Sequence, residues 1–285
     1  MKTTRKAASL KQTNFLDNAA IAELLAREAE QANGQVCQAF RCAARRAFLC
    51  EHEAYDLLAA GKSLVELAGI GPFLDRQIRE WFEKSTPLPS PPEIRAEFLT
   101  LARARRTLLD HPDFSDTLQG DLHSRTCWSD GTGTVAEMAT AARDRGYHYL
   151  AITDHTKALK IALGLSEEKL FAQGNEIGAV NSVLAEKGAD LVILRSAEVN
   201  LTPEGQADLE PSAVSSLDLV IGSFHSALRR MTDQTDRYLA ALHNPAIHVL
   251  GHPQGRIFNH REGLRGDWPR VFAKAARLDK AVDRI

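Results

Sequence analysis

The sequence predicts an α/β protein in which a mainly parallel sheet follows a small all-helical region. Before residue 85, apolar residues recur at helical spacing. Residues 85–92 then hold four prolines in eight positions and cannot form a helix interior. After Pro112, short β-type runs alternate with helical stretches, which is typical of βα units. The expected domains are a helical domain over 1–84, a proline-rich linker with a connecting helix over 85–116, and a βα domain over 117–285.

The composition is that of a globular protein without a strong overall charge. The chain has 285 residues, of which 44% are hydrophobic and 25% charged, and its formal net charge is −2. This balance gives no general attraction to nucleic acid, so any DNA contact must be local. No apolar run approaches the roughly 18 residues of a membrane span, and the four cysteines show no CxxC pairing. Membrane insertion, secretion and a cysteine-zinc module are disfavoured, and the expected location is the cytoplasm.

The helical region carries one local motif, LVELAGIGPFLDRQI, over residues 64–78. The pattern predicts a helix that ends at Gly69, a tight turn through Gly71, and a second helix that starts after Pro72. The free backbone N–H groups of such a turn and the helix N-terminus form an anion site suited to a DNA phosphate. Arg76 adds positive charge beside it. A plain turn between two helices is the alternative, because basic residues on a helix are often only a solvated face.

The remaining elements are predicted in chain order from changes in apolar periodicity. A connecting helix is expected over 93–109, after the prolines. Strands are predicted over 121–126, 149–154, 191–199, 217–224 and 248–251. Helices are predicted over 135–145, 167–185, 234–243 and 268–280. The last ten residues are charged and compatible with a helix, so the predicted sheet has these five strands.

Metal-ligating residue types recur at the carboxyl ends of the predicted strands. They are His123, Asp130, His155, Glu198, His225 and His252. In a parallel sheet or barrel these strand ends converge on one face, where functional sites are built. Imidazoles and carboxylates gathered there are ligand types for Zn, Mn or Fe. A lone histidine is more often a packed or surface residue, but the repeated placement favours a metal site.

The ordered set of motifs DLHxxT, SDG, ITDH, a glutamate after the third strand, SFHS and HPxGR resembles the polymerase and histidinol phosphatase (PHP) domain. More narrowly, residues 118–275 resemble the C-terminal PHP domain of bacterial family-X DNA polymerases. The segment LAGIGPFLDRQI is similar to the helix-hairpin-helix element of the helical domain that begins those polymerases. The polymerase palm domain, which would lie between the two regions, has no room in this chain.

The resemblance implies a distorted (β/α)7 barrel with up to three Zn or Mn ions, which hydrolyses phosphate esters and, in the polymerases, processes DNA 3′ ends. It also implies a role for each matching residue. Those roles are His123 for the first ion, Glu198 as a bridge, His225 and His252 for the second ion, and Asp130 and His155 for the third. Arg256, in HPQGR, is implied as a phosphate clamp.

Arg125 departs from the family pattern, which has a histidine at this position. A guanidinium has no lone pair to give to a metal. It would repel a dication by about 4 kcal/mol per unit of metal charge at about 4 Å, with an effective dielectric constant of about 20. Arg125 then either contacts the phosphate of a substrate as a catalytic residue or stands where a metal ion would be. Both interpretations follow from the sequence.

The C-terminus is the second departure from the family pattern. A family member would continue with further strands whose Asp-x-His supplies metal ligands, so the barrel is expected to be truncated and open. Self-association or a partner chain would complete such a barrel. The expected function is that of a metal-dependent phosphoesterase, either a 3′–5′ exonuclease or a phosphatase. The expected substrate is single-stranded DNA, a DNA 3′ end as in DNA repair, or a small phosphate ester. The alternatives are a catalytically impaired DNA-binding module and a truncated relic.

Overall fold

The computed structural model of the chain describes residues 16–66, 69–84, 86–88 and 90–283. Its contacts divide the chain into two compact units, Met1–Asp116 and Thr117–Ile285. Among the described residues, no helix has both the length and the apolar character needed to cross a membrane. Each unit has its own hydrophobic core.

The first unit is all-helical in its described residues. Its helices are α1 (Asn18–Gln31), α2 (Gly34–Phe48), α3 (Ala54–Ala59), α4 (Pro72–Glu83), α5 (Leu101–Asp110) and α6 (Pro112–Asp116), with a 3-10 turn at Leu64–Glu66. Its core is built mainly by α1, α2 and α4, from side chains such as Ile21, Phe40 and Ile78. The apolar residues that recur at helical spacing in the sequence are therefore those on the packed faces of these helices.

The connecting helix predicted over 93–109 is wrong in its first half, because α5 begins only at Leu101. The segment before it is a turn that buries Arg95. Arg95 donates two hydrogen bonds to the buried Glu23 carboxylate of α1, at 2.7 and 2.9 Å. Thr100 then caps α5 with its side chain. A buried guanidinium needs such a partner, and this pairing holds the segment in a turn.

The glycine turn of the first unit has the backbone that its residues require. Gly69 has a φ of +85°, a left-handed value that favours glycine. Gly71 is the N-cap of α4 and Pro72 its first residue, so the helix begins one position earlier than the predicted start after Pro72. Asp75, in the first turn of α4, accepts a hydrogen bond from the Leu64 backbone N–H at 3.0 Å. The helix predicted to end at Gly69 is a 3-10 turn in its described part, and residues 67–68 lie outside the described residues.

The second unit is an α/β half-barrel, which confirms the predicted fold class. Its strands are β1 (Gly120–Ser124), β2 (Tyr149–Ile152), β3 (Val192–Asn200), β4 (Leu219–Ser223), β5 (Val249–Gly251) and β6 (Ala281–Val282). Its helices are α7 (Val135–Asp144), α8 (Glu167–Glu186), α9 (Pro211–Val214), α10 (Thr235–His243) and α11 (Trp268–Arg277). The described strands pair in the order β1-β2-β3-β4-β5-β6, and every pair is parallel.

The expectation of a helix over the last residues is wrong. Helix α11 ends at Arg277, and Asp279 turns the chain with a φ of +52°. The chain then forms β6, in which Ala281 pairs in parallel with Val249 of β5. The described sheet therefore has a sixth strand where the sequence predicted five. A strand of two residues is too short to show the alternation by which strands are recognised in a sequence.

The six strands curl so that the first and last approach each other at their carboxyl ends. The His123 Nδ1 atom at the end of β1 lies 2.6 Å from the Asp283 Oδ2 atom just after β6. In a flat sheet, five spacings of about 4.8 Å would hold these strands roughly 24 Å apart. The side-chain contact therefore requires a strong curl, and this curl gathers the strand ends into one site.

Candidate metal centre at the strand ends

Glu198, near the end of β3, is the centre of the site. Its side chain is fully buried, and four imidazoles from four strand ends approach its carboxylate. Oε1 lies 2.6 Å from Nε2 of His252 and 3.3 Å from Nε2 of His225. Oε2 lies 3.0 Å from Nδ1 of His155 and 3.5 Å from Nε2 of His123. The curl of the sheet thus brings together residues separated by up to 129 positions in the sequence, from 123 to 252.

The backbone fixes the direction of these side chains. His155 and Glu198 are partners in a parallel β-bridge between neighbouring strands. His225 follows β4, and its Nδ1 atom lies 3.0 Å from the Asn200 side-chain oxygen, which orients the ring. His252 follows β5 with a φ of +24°, a value that L residues rarely adopt. Such strain is tolerated where the surrounding structure holds a functional side chain in place.

Arg125 lies inside this cluster and is anchored at both terminal nitrogens. Its Nη1 donates to the Thr153 carbonyl oxygen at 2.7 Å. Its Nη2 donates to Glu198 Oε2 in a short contact and lies 3.1 Å from His123 Nε2. Its Nε lies 3.8 Å from an oxygen of Asp130. The guanidinium therefore reaches the carboxylate that the histidines surround.

Asp130 lies at the rim of the cluster and is half-exposed. One of its oxygens is 3.8 Å from His155 Nε2, longer than a hydrogen bond. Arg256 is also partly buried, in the loop that follows β5. Gly69, Gly71 and Arg76 belong to the first unit. The structure thus brings together five of the six predicted metal ligands around Glu198 and Arg125, with Asp130 as the outermost of the six.

Asp283 is a member of the site that the sequence reasoning missed. Its carboxylate contacts His123 Nδ1 and so orients the ring from the side opposite Glu198. The signal was present, because an acidic residue follows the short apolar pair Ala281–Val282, as acids and histidines follow the other strands. Because a helix was predicted over the last residues, Asp283 was not predicted as a strand-end residue.

Asp154, which precedes His155 in the motif ITDH, organises the loop after β1. It is almost fully buried and accepts hydrogen bonds from the backbone N–H of Thr126, at 2.9 Å, and from the Thr126 hydroxyl. The Ser129 hydroxyl and the Gln173 side-chain amide, at 2.6 Å, also donate to it. Asp154 therefore fixes the loop that holds Asp130. No local sequence pattern indicates these hydrogen-bond partners of Asp154, because they come from two separate segments of the chain.

The charges of the site depend on one another. Burial lowers the pKa of His123, but its contacts with Asp283 and Glu198 outweigh burial and raise that pKa to about 9. Burial raises the pKa of Glu198, but the contacts from the surrounding histidines, His123 first, hold it far below its usual range. Without a metal, His123 is protonated at neutral pH, and a cation that binds its Nε2 must displace a proton.

The donor set fits a divalent metal. Ligand atoms within 4.8 Å of one another form two groups among the described residues, His123–Glu198–His252 and His155–Glu198–His225. Nδ1 of His155 is buried beside Glu198 without a well-formed hydrogen bond, as expected for a nitrogen whose lone pair faces a cation position. Nitrogen and carboxylate donors suit Zn or Mn. The predicted division into first, second and third ions stays a prediction, and this geometry groups His155 with His225.

The remaining histidines lie outside the cluster. His248 accepts a hydrogen bond from the Val220 backbone N–H at 3.0 Å and so supports the pairing of β4 and β5. His148 pairs with the exposed Asp190 at 2.9 Å. Both contacts support local structure.

Comparison with known proteins adds an independent observation. A model of the PHP domain matches residues 121–284, more than half of the chain. The chain is 34% identical over 167 residues to the DNA polymerase/3′-5′ exonuclease PolX of Bacillus subtilis, which covers 58% of this chain and 29% of PolX. It is 31% identical over 144 residues to a "probable phosphatase" of Thermoanaerobacter sp., which covers 48% of this chain and 55% of that protein.

A "probable phosphatase" of Photobacterium profundum is 30% identical over 168 residues, which covers 57% of this chain and 62% of that protein. The chain spans less than two thirds of the length of each of these relatives.

Proposed function

We propose, from the premise that this chain belongs to the PHP domain family, that it is a metal-dependent phosphoesterase. The observation that carries the proposal is the fully buried Glu198 carboxylate, which four histidines approach from four strand ends. The relatives described as phosphatases support hydrolysis of a phosphate ester, and the PolX relative supports a DNA 3′ end as the substrate. The substrate that we propose is therefore a phosphodiester at a DNA 3′ end, with a small phosphomonoester as the alternative.

The residues of the site have separate roles in the proposed hydrolysis of a phosphate ester. A bound divalent cation supplies Lewis acidity to the phosphoryl oxygens and lowers the pKa of a water molecule. Glu198 balances positive charge at the centre of the site, and the histidines donate lone pairs once they are deprotonated. Asn200 and Asp283 hold two of the imidazole rings in position. Arg256 is proposed to donate hydrogen bonds to the phosphate of the substrate.

The proposal is tested by hydrolysis of two substrates, 3′-end-labelled single-stranded DNA and a chromogenic phosphomonoester, with added Mn or Zn. Release of product that depends on metal is expected, and His225→Ala should lower it at least 100-fold, because loss of a ligand costs more than the roughly 10–100-fold effect of its supporting residues. His148→Ala is the matched control, since its ring pairs with Asp190 on the surface.

Equal activity of the His225→Ala and wild-type proteins would contradict the assignment of the site. Activity on DNA alone or on the monoester alone decides between the two proposed substrates. A folded, metal-loaded chain that hydrolyses neither one would support the alternative of a catalytically impaired binding module.

The glycine turn of the first unit supports DNA binding as a second function. Helix α4 begins after Gly71 without a side-chain cap among the described residues, which leaves its first N–H groups available to an anion. The Arg46 side chain packs against Gly69, and the exposed Arg76 lies one turn into α4. We propose that this turn binds a DNA phosphate.

Gly71→Asp is expected to weaken DNA binding while the helical unit stays folded. Gly71 has a φ of −86°, and a Cβ atom placed there meets nothing within 4 Å, so a side chain is tolerated. Aspartate is a good N-cap for α4, but its charge competes with the phosphate for the same N–H groups. We expect an affinity loss of roughly 10-fold in a DNA titration and a salt dependence with a shallower slope.

Gly71→Asn is the matched control, because asparagine caps a helix as well as aspartate but carries no charge. It should retain more of the DNA affinity than Gly71→Asp. Identical, salt-sensitive binding by both variants and by the wild-type protein would place the DNA contact elsewhere.

A further inference from the structure

We infer that the Arg125 guanidinium acts as a built-in cation within the His123–Glu198–His252 group, so that exchangeable metal binds only at the His155–Glu198–His225 group. This inference rests on the proposed metal-dependent function. It adds an assignment, namely which of the two donor groups binds the ion. It concerns Arg125, which stands where the family pattern has a histidine.

The position of Arg125 is that of a competing cation. Its Nη2 atom contacts Glu198 Oε2 and lies 3.1 Å from His123 Nε2. These two atoms are 3.5 Å apart, and a metal about 2.1 Å from each of them would be forced against Nη2. A guanidinium keeps its proton in proteins. An ion can therefore enter this group only if Arg125 moves away, and the two positive charges repel each other.

Two anchors prevent Arg125 from moving away easily. Its Nη1 atom donates to the Thr153 carbonyl oxygen at 2.7 Å and to the Thr153 hydroxyl at 3.2 Å. Thr153 is fully buried, and its hydroxyl donates in turn to the Ser124 carbonyl oxygen at 2.8 Å. Displacing the guanidinium would leave buried acceptors without donors. The charge of Arg125 is thus held beside Glu198 by the backbone of β1 and β2.

The second group is arranged differently. Among the described hydrogen bonds and ion pairs, Arg125 contacts neither His155 nor His225. Nδ1 of His155 is buried without a well-formed hydrogen bond and lies 3.0 Å from Glu198 Oε2, the oxygen that Arg125 also contacts. His225 Nε2 lies 3.3 Å from Glu198 Oε1, the carboxylate oxygen away from the Arg125 contact. A cation bound between His155 and His225 would contact a nitrogen donor on each imidazole ring without displacing Arg125.

The test is the number of Mn ions bound per chain, measured by equilibrium dialysis and elemental analysis of the full chain with Mn alone. The wild-type protein is expected to bind about one ion, and His155→Ala should lose it. Arg125→Met removes the charge without adding a ligand and is expected to gain about one ion, which a further His123→Ala should remove. Arg125→Lys retains the charge and should stay at the wild-type number. Circular dichroism confirms that each variant is folded, and Arg125→Leu replaces Arg125→Met if the latter does not fold.

The outcomes separate this inference from the proposed function. An ion gained in Arg125→Met and not in Arg125→Lys supports it. Equal numbers of ions in the wild-type protein and Arg125→Met overturn it, while metal-dependent hydrolysis still stands. No ion in any folded variant overturns both the inference and the metal-dependent function.

Discussion

Glu198→Gln is expected to abolish metal binding and to destabilise the second unit, although the substitution changes little in shape. Both candidate ligand groups share this one carboxylate. Its loss also leaves Arg125 and the protonated His123 beside each other without the charge that balances them. Removing one partner of a buried charge pair costs about 3 kcal/mol of unfolding free energy or more. Hydrolysis should fall to the background level.

The measurement is urea unfolding of the metal-free proteins, followed by thermal unfolding with and without Mn. Mn should raise the melting temperature of the wild-type protein by binding its native state, and it should not raise that of Glu198→Gln. Glu186→Gln makes the same chemical change on an exposed glutamate at the end of α8 and should behave as the wild type. A variant Glu198→Gln that Mn still stabilises would show that the ligands do not centre on this carboxylate.

The pH dependence gives the metal-free experiment a second readout. The pKa of His123 is raised to about 9 in the folded protein, above its ordinary value of 6.5. The stability that this shift contributes is complete below about pH 6.5 and is lost as the pH rises towards 9. In Glu198→Gln only Asp283 remains to hold the proton, so the loss of stability over this range should be smaller.

Much of the candidate site could be predicted because the four histidines and Glu198 lie at or near the carboxyl ends of predicted strands. The apolar runs before His155 and His225 are buried on both faces, so their ends are visible in the sequence. The rule that strand ends converge then places the ligands together without knowledge of the curl. Four of the five α-helices described in the second unit follow from periodicity in the same way, whereas the four-residue α9 between β3 and β4 was not predicted.

The parts that were missed depend on contacts between distant segments. Strand β6 consists of two residues, and its pairing with β5 decides its conformation, so apolar periodicity alone did not place Asp283. The turn before Leu101 exists because Arg95 is buried against Glu23, 72 positions earlier. The orientation of Arg125 depends on the Thr153 backbone, whereas the sequence predicted only that Arg125 contacts a substrate phosphate or stands in place of a metal ion. Tertiary contacts of this kind leave no periodic signal.

Asp154→Asn is expected to destabilise the second unit strongly, although Asp154 is not among the proposed metal ligands. Asp154 is almost fully buried and accepts four hydrogen bonds, from the Thr126 N–H and hydroxyl, the Ser129 hydroxyl and the Gln173 amide. An asparagine amide in its place presents a donor to at least one of these donors. Hydrogen bonds to a charged acceptor are worth about 1.5–3 kcal/mol each, and an unsatisfied buried donor costs about 1–3 kcal/mol. We expect a loss of about 3 kcal/mol in urea unfolding.

Asp154→Asn also tests whether the loop after β1 contributes to metal binding, since it leaves every proposed ligand unchanged. The donors at Thr126 and Ser129 belong to the loop between Arg125 and Asp130, so loosening that loop should also weaken Mn binding, by roughly 10–100-fold as for other residues that position metal ligands. Asp190→Asn is the control, because Asp190 is 90% exposed and should change neither stability nor Mn affinity measurably. Unchanged Mn affinity in a destabilised Asp154→Asn would mean that the loop acts only on folding. In that case the ligands on β2, β3 and β4 hold the ion without help from the loop after β1.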